Sequence, residues 1–216
     1  MALELHSHPF ASFCQKVLIA LYENETPFEA HLVDLGNEKS RAAFYALWPV
    51  GKMPLLRDTA RSRVVVETSI IIEYLAQFYP GKAQLLPADA ALALETRMQD
   101  RFYDLYVSEP MQKIVGDRLR PKDQRDAFGV NAARAQLRTS YAIIEKQMAG
   151  RTWAAGEAFT MADCSAAPAL FYSAWVEPFA EGFPNVARYF DRLQARPSFA
   201  RVVEEARPFR HFFPQA

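Results

Sequence analysis

The first eighty residues alternate between short strand-like segments and amphipathic helical segments. Alternating or β-branched positions predict strands at residues 3–7, 28–34, 54–56 and 63–66, with a turn at residues 57–60. Helical spacing of apolar residues predicts a helix along Cys14, Val17, Leu18 and Leu21, and further helices at residues 38–47 and 68–78. This order predicts a sheet with helices packed on it, and its βαβ start requires a right-handed crossover.

The rest of the chain carries only helical patterns. Residues 80–87 contain two prolines and a glycine, so residues 81–88 are interpreted as a linker between units at residues 1–80 and 89–216. The sharpest helix start is at Thr160, with Asp163 placed for a capping box and Phe159 and Cys164 for a hydrophobic staple. Two short final helices are predicted at residues 185–195 and 198–206.

Composition narrows the class of protein. Half of the 216 residues are hydrophobic, which predicts a folded core, and 25 basic residues balance 25 acidic ones. We therefore expect no nucleic-acid partner and no attraction to an anionic membrane. The longest uncharged stretch, residues 164–176, contains Pro168 and is shorter than the ~17–25 residues of a membrane span. The start of the chain lacks a signal-peptide pattern, and its two distant cysteines suggest a cytoplasmic protein without a metal site.

Five motifs occur together in order and spacing. They are SFCQKVLIAL at residues 12–21, PVGKMPLL at 49–56, ETSIIIEYL at 67–75, FTMAD at 159–163 and RPSF at 196–199. Together they resemble the cytosolic glutathione transferase superfamily, and in particular a bacterial, serine-type member. The resemblance spans essentially the whole chain. It implies a thioredoxin-like α/β N-terminal domain, an all-α C-terminal domain, glutathione as co-substrate and a homodimer.

Such a protein must keep the thiol of glutathione ionised, because a thiol with a pKa of about 8.5 is mostly protonated at neutral pH. One hydrogen bond to a charged group stabilises it by ~1.5–3 kcal/mol, and a helix N-terminus adds ~0.3–1 kcal/mol, together roughly two pKa units. Ser12, at the start of the first helix, offers that hydroxyl. Many serine-type members carry theirs one position earlier, where this chain has Ala11. Alternatively, Ser12 and Gln15 form a capping box, in which Ser12 only accepts a hydrogen bond from a free backbone N–H at the helix start and Gln15 reaches back.

Cys14 is a second candidate for chemistry at the same helix start. A cysteine there can have a lowered pKa and form a mixed disulfide with glutathione. A glutaredoxin-like reductase needs the first cysteine of a C-x-x-C pair, and Ala11 stands in its place. Cys14 also lies on the apolar stripe of the helix, so we interpret it as a buried core thiol.

Two further motifs supply candidate glutathione anchors. The resemblance implies that Met53-Pro54 has a cis peptide bond that turns the backbone of Met53 toward the cysteinyl unit of glutathione, and that Lys52 reaches the glycyl carboxylate. Pro54 could instead simply open a strand. The resemblance also implies that Thr68, at a helix N-terminus, binds the α-carboxylate while Glu67 pairs the α-amino group, with Ser69 a lesser candidate. Otherwise, Thr68 caps the helix and Glu67 complements its dipole.

A pocket for the electrophile would combine both domains. Its predicted lining residues are Phe10, Tyr103, Tyr106 and Met111, joined by Phe209 or Phe212 from the aromatic tail. The leading hypothesis is a transferase that conjugates the glutathione thiolate to hydrophobic electrophiles. A non-catalytic protein that binds glutathione or apolar ligands, favoured by Ala11, and a glutathione-dependent reductase, peroxidase or isomerase, which needs an accessible Cys14, are the alternatives.

Overall fold

The computed structural model describes residues 2–215, and its N-terminal part contains one four-stranded sheet. The strands are β1 (Leu3–Ser7), β2 (Glu29–Leu32), β3 (Leu55–Asp58) and β4 (Arg63–Val66), in the order β2-β1-β3-β4. β1 and β2 run parallel, while β3 is antiparallel to both β1 and β4. The predicted α/β domain with a βαβ start is thereby confirmed. The predicted turn at residues 57–60 begins too early, because Arg57 and Asp58 still pair within the sheet.

Three helices cover the two faces of this sheet. They are α1 (Ser12–Glu23), α2 (Glu38–Leu47) and α3 (Thr68–Phe78). Adjacent residues of a strand point to opposite faces. Leu56 joins the main core with α1 and α3, whereas Leu55 packs with Phe44 of α2 in a second, smaller core. The sheet is therefore sandwiched between helices, and its α1/α3 face is the one that meets the rest of the protein.

All further regular elements described are helical. They are α4 (Ala90–Tyr103), a π-helical turn (Asp104–Ser108), α5 (Glu109–Arg118), a 3-10 turn (Lys122–Gln124), α6 (Ala127–Met148), α7 (Met161–Ser173), α8 (Pro184–Gln194), α9 (Pro197–Ala206) and a final 3-10 segment (Arg207–Phe212). This confirms the all-α C-terminal domain. No helix within residues 2–215 is both long enough and apolar enough to cross a membrane.

The central helix of the second domain is α7. Thr160 is its N-cap, and the capping box with Asp163 is present as predicted, with the carboxylate accepting the Thr160 N–H at 2.8 Å. Nearly every residue of α7 is buried, because it packs against both α1 and α4. A helix that is mostly apolar and buried on all sides belongs in a core. α7 thus joins the helical domain to the helix that begins at Ser12.

Candidate active site

A cavity of about 350 Å³ lies between the sheet domain and the helical domain. From the first domain it is lined by Phe13, Trp48, Lys52, Met53, Pro54, Val66, Glu67 and Thr68, and from the second by Arg101, Asp104, Leu105, Glu109 and Gln112. All five predicted glutathione anchors are among these residues. The folded chain therefore brings together two motifs that are more than ten residues apart in the sequence.

The loop that carries Lys52 and Met53 is shaped by a glycine. Gly51 has a φ of 71°, a left-handed backbone that glycine adopts without steric cost. A Cβ atom at this position would collide with the ring of Tyr45. The Met53–Pro54 peptide bond is cis, as the resemblance implied. Gly51 thus lets the chain turn tightly against α2 just before the residues that line the cavity.

At the other wall of the cavity, Glu67 has an unusual backbone. It is the N-cap of α3, with a φ of 68° that non-glycine residues rarely adopt. Such strained positions persist where the surrounding structure fixes them, and they cluster at binding sites. The alternative in which Thr68 caps the helix is wrong, because Thr68 is already the first helical residue. Glu67 and Thr68 both border the cavity at this helix N-terminus.

A second cavity of about 390 Å³ adjoins the first and is mainly apolar. It shares with the first cavity the lining residues Phe13, Lys52, Met53 and Gln112. Its other walls are Phe10, Ala11, Ser12, Met111, Val115, Leu119, Tyr172, Phe212, Phe213 and Pro214. Two of the four residues predicted for an electrophile pocket, Phe10 and Met111, border this cavity, together with Phe212 of the aromatic tail.

The other predicted pocket residues lie elsewhere. Tyr103 is fully buried in the helical core, edge-to-face against Phe102, so the prediction that it lines a pocket is corrected. Tyr106 is exposed and borders a separate cavity next to α6. Phe209 packs on the ring of His8 and lines neither of the two adjoining cavities. A π-helical turn begins directly after Tyr103, and such a change of helical period is not visible in residue spacing.

Ser12 lies beside the second cavity, but not in the role of a helix cap. Ala11 is the N-cap of α1 and Ser12 is the first helical residue. Gln15 does not reach back to the cap; it donates to the Pro9 carbonyl oxygen at 2.9 Å and to the Tyr172 hydroxyl at 3.0 Å. The capping-box interpretation of Ser12 is therefore wrong. Its Oγ instead accepts a hydrogen bond from Nε2 of Gln112 at 3.4 Å.

Both cysteines are buried in the core. Burial raises the pKa of Cys14 to about 12, although the His8 N–H, 3.5 Å from Sγ, partly opposes the shift. Burial also raises the pKa of Cys164. A thiol with so high a pKa forms little thiolate at neutral pH. The structure thus agrees with the interpretation of Cys14 as a core residue.

A buried charged cluster that the sequence analysis missed lies behind the first cavity. Nζ of Lys16 is 2.6 Å from Asp100 and 2.8 Å from Asp104. Ser69 donates to Asp100 at 2.5 Å, and Ser165 donates to Asp104 at 2.7 Å. Burial is the main cause of the raised pKa of Asp100; Lys16 opposes this shift and Asp104 adds to it. The sequence feature that indicates this cluster is Lys16, a lysine in the middle of an apolar helix, one turn after Ser12.

The sequence also did not predict the residues that the helical domain contributes to the first cavity. Arg101 donates to Asp104 at 2.9 Å, and Glu109 and Gln112 follow on α5. These residues come from a polar helix surface without a motif, so nothing in the local pattern marks them. Within residues 2–215, no group of three or more histidine, cysteine, aspartate or glutamate side chains is arranged to hold a metal ion.

Known proteins with similar sequences have the same two domains in the same order. Residues 5–83 match the family model of the glutathione S-transferase N-terminal domain, and residues 105–197 match that of the C-terminal domain. Glutathione S-transferase GstB of Escherichia coli strain K12 is 28% identical over 192 residues, covering 88% of this chain and 91% of that protein. A glutathione S-transferase of Pseudomonas putida is 26% identical and covers 94% and 92% of the two chains.

Solved structures share the fold. A glutathione S-transferase of Methylobacterium radiotolerans, in complex with glutathione sulfonate, has a TM-score of 0.80 and 29% identity, and covers 93% of this chain and 94% of its own. One from Methylobacillus flagellatus with bound glutathione has a TM-score of 0.84 at 22% identity, covers 93% of this chain and 98% of its own, and so supports the fold alone. Both halves match in order, and the relatives align over nearly their full length. The chain therefore belongs to the glutathione S-transferase family.

Proposed function

We propose that the protein is a glutathione transferase that conjugates the thiolate of glutathione to hydrophobic electrophiles. The observation that carries this proposal is the pairing of two adjoining cavities, one with polar anchors from two motifs and the other mainly apolar. A conjugating enzyme has to hold a charged peptide next to an apolar partner. The names of the relatives support the same activity.

Glutathione would occupy the first cavity. Lys52 can neutralise the glycyl carboxylate, and the backbone of Met53 can pair with the cysteinyl unit as a short added strand. The N–H groups at the start of α3 and the hydroxyl of Thr68 favour the α-carboxylate, while Glu67 can bind the α-amino group. Each charged group of glutathione would thus face a group of opposite charge, or a helix N-terminus, on the cavity wall.

The electrophile would occupy the second cavity, against Phe10 and Met111. The hydroxyl of Ser12, at the N-terminus of α1, would donate a hydrogen bond to the sulfur and stabilise the thiolate. The thiol proton leaves to solvent. The sulfur lone pair then forms an S–C bond to the electron-poor carbon, and the leaving group departs with its electron pair. Conjugation of this kind serves detoxification.

Binding and turnover together test this proposal. Calorimetry with glutathione should show one site per chain, and chloronitrobenzene should be conjugated with release of chloride. Binding without turnover would instead favour a carrier, the class suggested by Ala11 at the start of α1. Reduction of a mixed disulfide would favour a reductase, which the burial of Cys14 argues against. Failure to bind glutathione would reject all three.

We also propose a cytoplasmic homodimer. Exposed apolar side chains lie along α4 and its π-helical turn at Leu94, Met98 and Leu105, and Ile70 is exposed on α3. α3 and α4 are neighbours, joined by an ion pair between Glu73 and Arg97. An apolar surface of this kind is suited to a second copy of the chain. The cytoplasmic location rests on two cysteines that are free thiols.

A further inference from the structure

The boundary between the two cavities is where conjugation would take place. If glutathione fills the first cavity and the electrophile the second, the sulfur must lie beside the residues that the cavities share. Phe13, Lys52 and Met53 reach this boundary from the sheet domain, and Gln112 reaches it from α5 of the helical domain. The helical domain thus places a side-chain amide next to the proposed position of the sulfur.

Gln112 also contacts Ser12. Its Nε2 donates to Oγ of Ser12 at 3.4 Å. Ser12 is only 9% exposed, whereas Gln112 is open to the cavities. A serine hydroxyl has one proton and two lone pairs, so an N–H that occupies a lone pair leaves the proton free for another acceptor. If the hydroxyl donated to the amide oxygen instead, its proton would be engaged and the sulfur would lose its donor.

We propose that Gln112 is a positioning residue for the conjugation reaction. Its amide N–H holds Oγ of Ser12 and thereby directs the hydroxyl proton to the sulfur of glutathione. This inference rests on the proposed function, since it presumes that a thiolate is bound at the boundary. It assigns the helical domain a part in ionising the thiol, because Ser12 begins α1 and Gln112 lies on α5.

A competing explanation is that the Gln112–Ser12 bond merely joins the two domains. A thiol titration and a double-mutant cycle address this explanation, and the chain offers a control for the loss of a glutamine–serine bond as such. Gln136 donates from Nε2 to Oγ of Ser140 at 3.3 Å within α6, and neither residue lines the two cavities of the proposed site. Gln136→Met therefore removes the same kind of bond without touching the thiolate, and it should leave turnover and thiol ionisation unchanged.

The test is a pH titration of the ultraviolet absorbance of the thiolate with saturating glutathione. Gln112→Met, which keeps the length but has no donor, should raise the pKa of the bound thiol by about half to one unit, the effect of one net hydrogen bond. Turnover at neutral pH should fall by roughly 3–10-fold and recover at high pH. Gln112→Glu should shift the pKa further, because a carboxylate accepts the Ser12 proton.

A double-mutant cycle then decides how Gln112 acts. In a Ser12→Ala background, adding Gln112→Met should leave the pKa of the bound thiol unchanged, since the residue acts through the hydroxyl. An equal shift in both backgrounds would overturn the inference, as would an unshifted pKa in Gln112→Met or an equal shift in Gln136→Met.

Calorimetry of the wild-type protein with glutathione and S-methylglutathione separates this inference from the proposed function. If neither peptide binds, both proposals are rejected. If both bind and the thiol titration does not respond to Gln112, only the positioning role is lost.

Discussion

The Nζ atom of Lys16 lies 2.8 Å from Oδ2 of Asp104, and both side chains are almost fully withdrawn from water. Lys16 belongs to α1, one turn after Ser12, while Asp104 begins the π-helical turn of the helical domain and borders the first cavity. Asp100 places a second carboxylate 2.6 Å from the same ammonium group. One lysine thus holds two carboxylates of the other domain directly behind the proposed glutathione site.

Replacing this lysine should destabilise the whole protein. Lys16→Met keeps the apolar stem but leaves Asp100 and Asp104 buried without their shared cation. Breaking a buried ion pair from one side costs ~3–5 kcal/mol, so we expect the free energy of unfolding in urea to fall by about that amount. Because Ser69 and Thr68 are adjacent in α3, the KM for glutathione should rise as well.

Two further variants show whether charge is the cause. Lys82→Met removes an exposed pair with Glu25 and should leave the unfolding midpoint unchanged. The triple variant Lys16→Met, Asp100→Asn, Asp104→Asn removes the uncompensated charges and should recover much of the lost stability. A triple variant no more stable than Lys16→Met would show that the loss comes from packing instead.

Ser12→Ala should impair turnover without lowering stability. The variant loses one hydrogen bond to a charged sulfur, so conjugation of chloronitrobenzene should slow by roughly tenfold or more. The melting temperature should not fall, because Ala11 and not Ser12 is the N-cap of α1. Normal turnover combined with an earlier melt would assign Ser12 a purely structural role.

The two cysteines should resist modification in the folded protein. Cys14 and Cys164 are both fully buried, and burial raises the pKa of each thiol. Titration with an aromatic disulfide reagent should therefore give almost no reaction in buffer and two thiols per chain in guanidinium chloride. Cys14→Ala should retain conjugating activity. Rapid labelling of Cys14 in the folded state would revive the reductase alternative.

The proposed dimer depends on the apolar surface of α4. Leu94→Glu combined with Met98→Glu places two charges in that surface and should yield a monomer by sedimentation velocity. Phe128 of α6 is 87% exposed, more than Leu94 at 68%, and provides the matched control. Phe128→Glu should leave the dimer intact. If it dissociates the dimer while the α4 variant does not, the interface lies on α6.

Local patterns predicted those elements whose ends are set by their own residues. α3 begins and ends where its apolar spacing indicated, and α7 begins at its capping box. β2 is shorter than the partly alternating segment at residues 28–34, because in the described sheet it is an edge strand that pairs with β1 through four residues. The family motifs located five residues of the first cavity, since those motifs hold the loop and helix starts that form it.

Contacts between distant segments account for what the sequence analysis missed. Asp58 has the composition of a turn, but hydroxyl groups of Tyr74 and Tyr79 bind it at 2.7 Å and keep it in the sheet. Burial alone would raise the pKa of Asp58, yet these bonds, together with the N–H and the charge of Arg61, outweigh it and the pKa is lowered. Likewise, the partner Asp104 of Lys16 lies 88 residues further along the chain.

Asp163 should give the stability of the protein a distinctive pH dependence. Its carboxylate accepts N–H bonds from Ala154 and Thr160 at 2.8 Å and an O–H bond from Tyr189 at 2.6 Å. Burial nevertheless dominates these bonds and raises its pKa from 3.8 to about 6. Between these two values the folded chain holds a proton that the unfolded chain has released, so this contribution to stability is lost as the pH rises.

Comparison with Asp163→Asn isolates this contribution from other carboxyl groups such as Glu177, whose pKa is lowered and whose effect has the opposite sign. The asparagine cannot titrate, and its NH₂ group must face N–H donors, so the variant should be less stable throughout. In urea unfolding from about pH 4 to about pH 7, the gap between wild type and variant should be widest at the acidic end. It should narrow by at most about 3 kcal/mol through the window, the value of the two-unit shift. A gap that stays constant or widens with rising pH would mean that Asp163 is already ionised in the folded protein at acidic pH.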